Sequence, residues 1–149
     1  MPMILSLVQR KKPVFRLNGP EPPLIAGAIA VFQYNNRNRD KLDLPALDTM
    51  IIPCITVEGT RPPFYKVPVT KHLSDTVATG RLPEEETVVT CCDPPPPSET
   101  HVDMESLDYR RTALRHYYTF RDLAEDCWTP LRLDPEYCWA VFPHEESVE

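Results

Sequence analysis

The 149-residue chain contains five cysteines and four histidines, the residue types with the widest chemical range. Cys91, Cys92, His101, Cys127 and Cys138 offer the thiolate and imidazole donors that zinc prefers, but at the wrong spacing. Adjacent cysteines on a strand point to opposite faces, and no two cysteines are separated by two to four residues. A cysteine hydrolase needs a thiolate activated by a histidine that a third group orients. His72, His101, His116 and His144 lie in no local signature of that kind, and His116 falls at the edge of a helical stripe, where a half-buried, satisfied histidine is expected. The run His72, Leu73, Ser74, Asp75 has the residue types of a triad. It falls on a short helix, however, where neighbours one or two apart do not face each other. No catalytic residue, metal ligand or cofactor is assigned.

Arg110, Arg111, Arg115 and Arg121, interleaved with Tyr117, Tyr118 and Phe120, form the best nucleic-acid candidate: guanidiniums meet phosphates and aromatics stack on bases. Asp108, Asp122, Glu125 and Asp126 share the same helix and the aromatics belong mostly to its buried stripe, so surface ion pairs explain the arginines better; contact with a protein partner is the other use for them. A second basic group, Arg10, Lys11, Lys12 and Arg16 with Arg37, Arg39 and Lys41, falls in expected loops. Two peptide-like motifs remain. Pro62, Pro63, Phe64 and Tyr65 match the PPxY pattern that WW domains read, and Pro94 to Pro97 form a polyproline II ligand. The first opens an expected strand and the second lacks a flanking aromatic, so turn and spacer roles are favoured for both.

Composition bounds these readings. The chain is 42% hydrophobic and 26% charged, as in a globular protein, and its length suits one domain over residues 1–149. Eighteen prolines against four glycines favour short strands and fixed turns. Residues 1–72 carry ten Lys/Arg and five Asp/Glu, hence +5, while residues 73–149 carry six and seventeen, hence −11. The net charge of −6 argues against nonspecific coating of nucleic acid, and the split can serve attraction between halves of one molecule or between neighbouring copies. No stretch reaches the roughly 18 apolar residues of a membrane span, and charges interrupt the N-terminal apolar run before a signal peptide can form. An intracellular protein, cytoplasmic or nuclear, with five reduced thiols is expected.

The elements that must position these residues follow from periodicity. Met3 to Gln9 and Val14 to Leu17 read as strands joined by a charged turn. Leu24 to Tyr34 is apolar throughout; period alone does not separate strand from helix there, and Val31, Phe32 and Tyr34 favour strand. Asn35 to Asp48 reads as loop. Met50 to Val57 and Phe64 to Val69 read as a hairpin, with Pro53 and Pro68 demoting parts of both to edge positions. Thr70 as N-cap, Leu73 and Val77 four apart, and Gly80 after the end outline a short helix, and Thr87 to Cys92 a further strand. Residues 93–100 form a stiff polyproline spacer. Asp103 then caps a long helix from about Met104 to Trp128, whose stripe is Tyr109, Ala113, Tyr117, Phe120, Ala124, Cys127 and Trp128. A last strand is expected from Tyr137 to Phe142, and residues 143–149 form an acidic, frayed tail.

The block from Ile55 to Thr70, ITVEGTRPPFYKVPVT, with Leu73, Ser74, Asp75 and the later YRRTALRHY from Tyr109 to Tyr117, resembles uncharacterised predicted proteins of mushroom-forming (basidiomycete) fungi. The resemblance covers about two thirds of the chain. It implies a fungal intracellular protein, and it carries no activity and no functional residue with it.

These readings give an α+β fold: a small, mainly antiparallel sheet of five to seven strands, one long helix from the C-terminal half packed on it, and a short helix. The favoured function is a non-enzymatic interaction or assembly protein that self-associates, as a homodimer or with another protein and without a membrane. The alternatives are a nucleic-acid-associated protein using the arginine-rich surface and a hydrolase-type enzyme without a signature. Leu107, Leu114 and Tyr118 widen the apolar arc of the long helix beyond what one sheet covers, which is the basis of the preference.

Overall fold

The computed structural model describes residues 6–10, 21–57, 62–94 and 106–129. Among them are four strands, β1 (Leu7–Arg10), β2 (Thr49–Val57), β3 (Phe64–Thr70) and β4 (Thr90–Cys92), and three helices, α1 (Glu21–Asp40), α2 (Lys71–Ala78) and α3 (Leu107–Trp128). The sheet runs in the order β1-β2-β3-β4. β-Branched and aromatic residues make β2 and β3 its centre, an antiparallel pair in register from Thr49 opposite Thr70 to Ile55 opposite Phe64. β4 pairs antiparallel with β3, and β1 pairs parallel with β2. The fold is α+β, with α3 packed on the sheet.

The prolines do not turn β2 and β3 into edge strands; both are interior. The Thr56 amide donates to the Pro63 carbonyl (3.1 Å), and with that alternation Met50 opposite Val69, Ile52 opposite Val67 and Cys54 opposite Tyr65 fall at hydrogen-bonded positions, while Pro63 only accepts. Pro53 and Pro68 occupy the intervening positions, where an amide would point away from the pair. Pro53 faces the β1 side one residue before that ladder begins at Cys54, and Pro68 faces the β4 side beyond its last pair at Lys66. The missing donors therefore fall where the short flanking strands do not reach. This also accounts for a β4 shorter than the expected Thr87 to Cys92.

The segment from Leu24 to Tyr34 is helix, not strand, and α1 continues through residues 35–40 of the stretch read as loop. Its buried positions are Leu24, Ala28, Ile29, Val31, Phe32, Asn35 and Asn38, which recur at a helical period. Pro22 and Pro23 sit in the first turn, where amides have no intrahelical partner. Tertiary burial overrides the strand preference of Val31, Phe32 and Tyr34. The helix also explains the parallel β1–β2 pair, because parallel neighbours need a crossover connection and α1 supplies it.

Alternation along β2 and β3 creates two apolar faces. Met50, Ile52, Cys54, Tyr65, Val67 and Val69 pack with α1 in one cluster that also takes in Leu73 of α2. Phe64 points the other way and meets α3, its ring centroid 5.0 Å from Tyr117, 5.2 Å from Phe120 and 6.3 Å from His116. Tyr109, Ala113 and Ala124 complete the buried side of α3. α2 has the expected caps: Thr70 Oγ1 accepts from the Leu73 amide at 3.1 Å, and Gly80, at φ +71°, takes the left-handed position after the C-cap that L side chains resist. Val77 of its expected stripe is exposed.

The α3 N-cap is Ser106, which accepts from the Tyr109 amide at 3.4 Å, so the described helix begins at Leu107 and the expected cap Asp103 lies outside the described residues with Met104. The strand expected from Met3 to Gln9 is observed as Leu7–Arg10, which places Arg10 in the strand and not in the turn. The strands expected from Val14 to Leu17 and from Tyr137 to Phe142, the spacer beyond Pro94 and the tail at 143–149 lie outside the described residues.

Phe64 is the contact on which α3 is seated. Phe64→Ala is expected to destabilise the protein by about 3–5 kcal/mol, and Tyr117→Ala or Phe120→Ala by on the order of 3 kcal/mol, because neighbours fill an aromatic-sized cavity only partly. Urea denaturation of the three variants measures this, and unchanged midpoints would show that the contact does not hold the helix.

Candidate interaction surface

Helical periodicity divides α3 into two faces. One carries Tyr109, Ala113, Tyr117, Phe120 and Ala124 toward the sheet. About a third of a turn round from that stripe, Leu107, Arg111, Leu114, Tyr118, Arg121 and Glu125 step by four and three along an outer flank. Leu107, Leu114 and Tyr118 are 54%, 53% and 62% exposed, large apolar side chains in a row. Arg121 lies over the Tyr118 ring, its guanidinium carbon 5.5 Å from the centroid, and donates to Asp122 Oδ1 at 2.9 Å. Arg111 stands 3.7 Å from Asp108.

The arginines singled out from the sequence, Arg110, Arg111, Arg115 and Arg121, are all exposed on α3, as is Tyr118. Tyr117 and Phe120, the other aromatics of that group, turn toward Phe64 and are not available to stack on bases. Arg37 and Arg39 belong to the last turn of α1 and not to a loop. Arg39 Nε donates to the Pro45 carbonyl at 2.8 Å, which fastens the segment after α1. Asn36 does the same with both ends of its amide, donating to the Leu47 carbonyl (3.1 Å) and accepting from the Leu47 amide (2.8 Å). Sequence reading missed these asparagines. Their signal was that Asn35 and Asn38, both buried, continue the Leu24, Ala28, Val31 spacing.

The PPxY residues Pro62, Phe64 and Tyr65 are buried at the start of β3, and Pro63 is half-buried. A WW domain would have to unfold the central strand pair to read them. Pro94 is buried, and the rest of the proline run lies outside the described residues.

The triad-like run does not assemble. Ser74 is buried and its hydroxyl accepts from Gln33 Nε2 of α1 at 3.1 Å, Asp75 pairs with Lys71, and His72 is exposed. His116 is half-buried, stacks on Phe64 and holds the Thr112 carbonyl through Nδ1 at 2.8 Å, as expected of a satisfied histidine. Cys54, Cys92 and Cys127 are free thiols, and Cys138 lies outside the described residues. Burial pushes the Cys54 thiol up to about 12, far from an activated thiolate. Burial also raises Cys127, with Asp126 adding to it and Lys66 opposing. Among the described residues no three His, Cys, Asp or Glu side chains are grouped to hold a metal, and no helix is long and apolar enough to cross a membrane. A cleft of about 200 Å³, lined by Pro68, Thr70, His72, Pro83 and Glu86, is open to solvent. It is smaller than the roughly 300–1,000 Å³ of ligand pockets.

Comparison with protein-family models, curated proteins and solved structures finds no match for this chain.

The buried Cys54 gives a pH dependence. Its thiol ionises at about 9 when free and about 12 in the fold, so between those values the native state holds a proton that the unfolded chain has lost. Stability therefore falls as pH rises through that window, at up to about 1.4 kcal/mol per pH unit. Cys54→Ala should show a shallower decline than the parent in denaturation curves at pH 8.5 and above, and an identical decline would contradict the assignment.

Proposed function

We propose that this is a non-catalytic assembly protein that self-associates through the outer face of α3. The observation that carries the reading is the row of Leu107, Leu114 and Tyr118, each more than half exposed on a helix whose other face is already seated on the sheet. Isolated exposed hydrophobics are ordinary; three at helical spacing form a seam. The spacing is that of a heptad, with Leu107 and Leu114 seven apart and Tyr118 four further on.

Other features support a protein partner over the alternatives. The guanidiniums of α3 share the helix with Asp108, Asp122, Glu125 and Asp126, all exposed, and a phosphate backbone along it would meet these carboxylates as well as the arginines. For a hydrolase, Ser74, His116 and Cys54 are spent on packing and local hydrogen bonds. A reducing compartment belongs to this reading, through the intracellular setting that the resemblance to basidiomycete proteins implies.

Light scattering at micromolar concentration, in low and in moderate salt, is expected to give a dimer mass. Leu114→Asp should weaken association at least tenfold, about 1.4 kcal/mol, while changing the stability of dilute monomer by no more than about 0.5 kcal/mol, because the side chain it replaces is solvated there. A monomer mass for the parent in both salts would remove the assembly reading. In that event, a mobility shift with RNA or DNA that weakens steeply with salt would establish the nucleic-acid reading.

A further inference from the structure

The exposed charges of α3 are not mixed along its length. Its first half carries Arg110, Arg111 and Arg115 with Asp108, a net of +2, and its second half carries Asp122, Glu125 and Asp126 with Arg121, a net of −2. Helix dipoles favour the opposite order, acid at the N-terminus and base at the C-terminus. The last turn of α3 holds Glu125 and Asp126 and no base, while Asp108 is the one acid of the first turn. The pattern opposes the helix's own field at its C-terminal end, where acids stand and no base does, so these charges are arranged for something outside the helix.

Building on the self-association reading, we infer that the partner of α3 is the α3 of a second copy lying antiparallel across a two-fold axis near Leu114 and Tyr118. A surface that satisfies this helix must present carboxylates opposite residues 110–115 and bases opposite residues 122–126, with apolar contact between. A reversed copy of α3 does all three. Arg110 and Arg111 of one copy then lie level with Asp122 and Arg121 of the other, with Glu125 and Asp126 about a turn further on, and each acidic C-terminal half lies beside the positive end of the neighbouring helix. Leu114 and Tyr118 meet at the dry centre of the seam, and Leu107 lies toward each end. A parallel pair would set arginine against arginine and acid against acid along the whole contact. The dyad makes the interface self-complementary, as a closed dimer requires.

Charge reversal by halves tests the orientation. Three chains are compared with the parent by light scattering and sedimentation at low salt: Arg110→Glu/Arg111→Glu/Arg115→Glu, Asp122→Lys/Glu125→Lys/Asp126→Lys, and the chain bearing all six changes. Each three-residue variant is expected to lose at least tenfold in self-affinity, and an equimolar mixture of the two to form a mixed dimer. The six-residue variant is expected to recover the parent's dimer, because reversal of both halves restores every pairing. Circular dichroism of each variant confirms that α3 is formed, and the six-residue chain, now charged in accord with its dipole, guards against loss of folding as the explanation. A parent dimer that the half-reversals leave intact, or that the six-residue chain fails to recover, would overturn the antiparallel arrangement and leave self-association standing. A parent that is monomeric throughout would overturn both.

Discussion

Everything in this fold follows from a central strand pair that is apolar on both faces. β2 and β3 alternate side chains to opposite sides, and Met50, Ile52, Val67 and Val69 on one side are matched by Phe64 with half-buried Ile51 and Ile55 on the other. Each fully buried aliphatic of this kind contributes roughly 1.5–3 kcal/mol when removed from water, so neither face is stable bare. Among the described residues, this four-stranded sheet with short outer strands has no second sheet to close on. Two helices must cover it: α1, delivered to one face by the crossover between β1 and β2, and α3, delivered to the other after β4. The proline positions follow from the same geometry, since the interior pair keeps its own amides and loses only donors aimed past the ends of β1 and β4.

The parts legible in the sequence are those where local chemistry and tertiary context agree. Residues 50–69 alternate and are bounded by a proline-rich turn, Thr70 and Gly80 stand at the ends of α2, and the long stripe of α3 ends at Trp128 as its spacing requires. α1 was illegible for a definite reason. Its apolar run is continuous from Leu24 to Phe32, and a run without polar interruption carries no period to measure. The period resumes only through Asn35 and Asn38, which look like loop residues until burial shows them on the inner face. Missing the helix also hid the parallel pairing of β1, because a parallel neighbour is ruled out until a crossover exists. For α3, Asp103 and Ser106 are both competent caps, and choice between them depends on where tertiary packing lets the first turn form.

For the surface, residue types were legible and orientation was not. Leu107, Leu114 and Tyr118 could be named from the helical wheel, but whether the wide apolar arc was covered within the chain depended on where Phe64 sits. The PPxY run shows the converse. Its letters match a ligand motif, yet Pro62, Phe64 and Tyr65 owe their identities to the hairpin they begin, and burial removes them from recognition.

The two faces of α3 have different energetic roles, and this separation makes the proposed assembly reversible. The sheet-side residues, held by Phe64 and the buried Tyr109, fix the helix whether or not a partner is present. The outer seam adds contact area without being required for that seat. Surface ion pairs contribute under about 1 kcal/mol each, so the charges cannot by themselves hold two copies together. They act on choice of partner and direction: like-signed halves repel in the wrong orientation, and opposite halves steer the right one. Affinity must then come from the burial of Leu107, Leu114 and Tyr118, three side chains on each copy, a small apolar contact that suits an association responsive to protein concentration and salt. The order of charge along α3 slightly weakens the isolated helix, and that small destabilisation is what the antiparallel partner relieves.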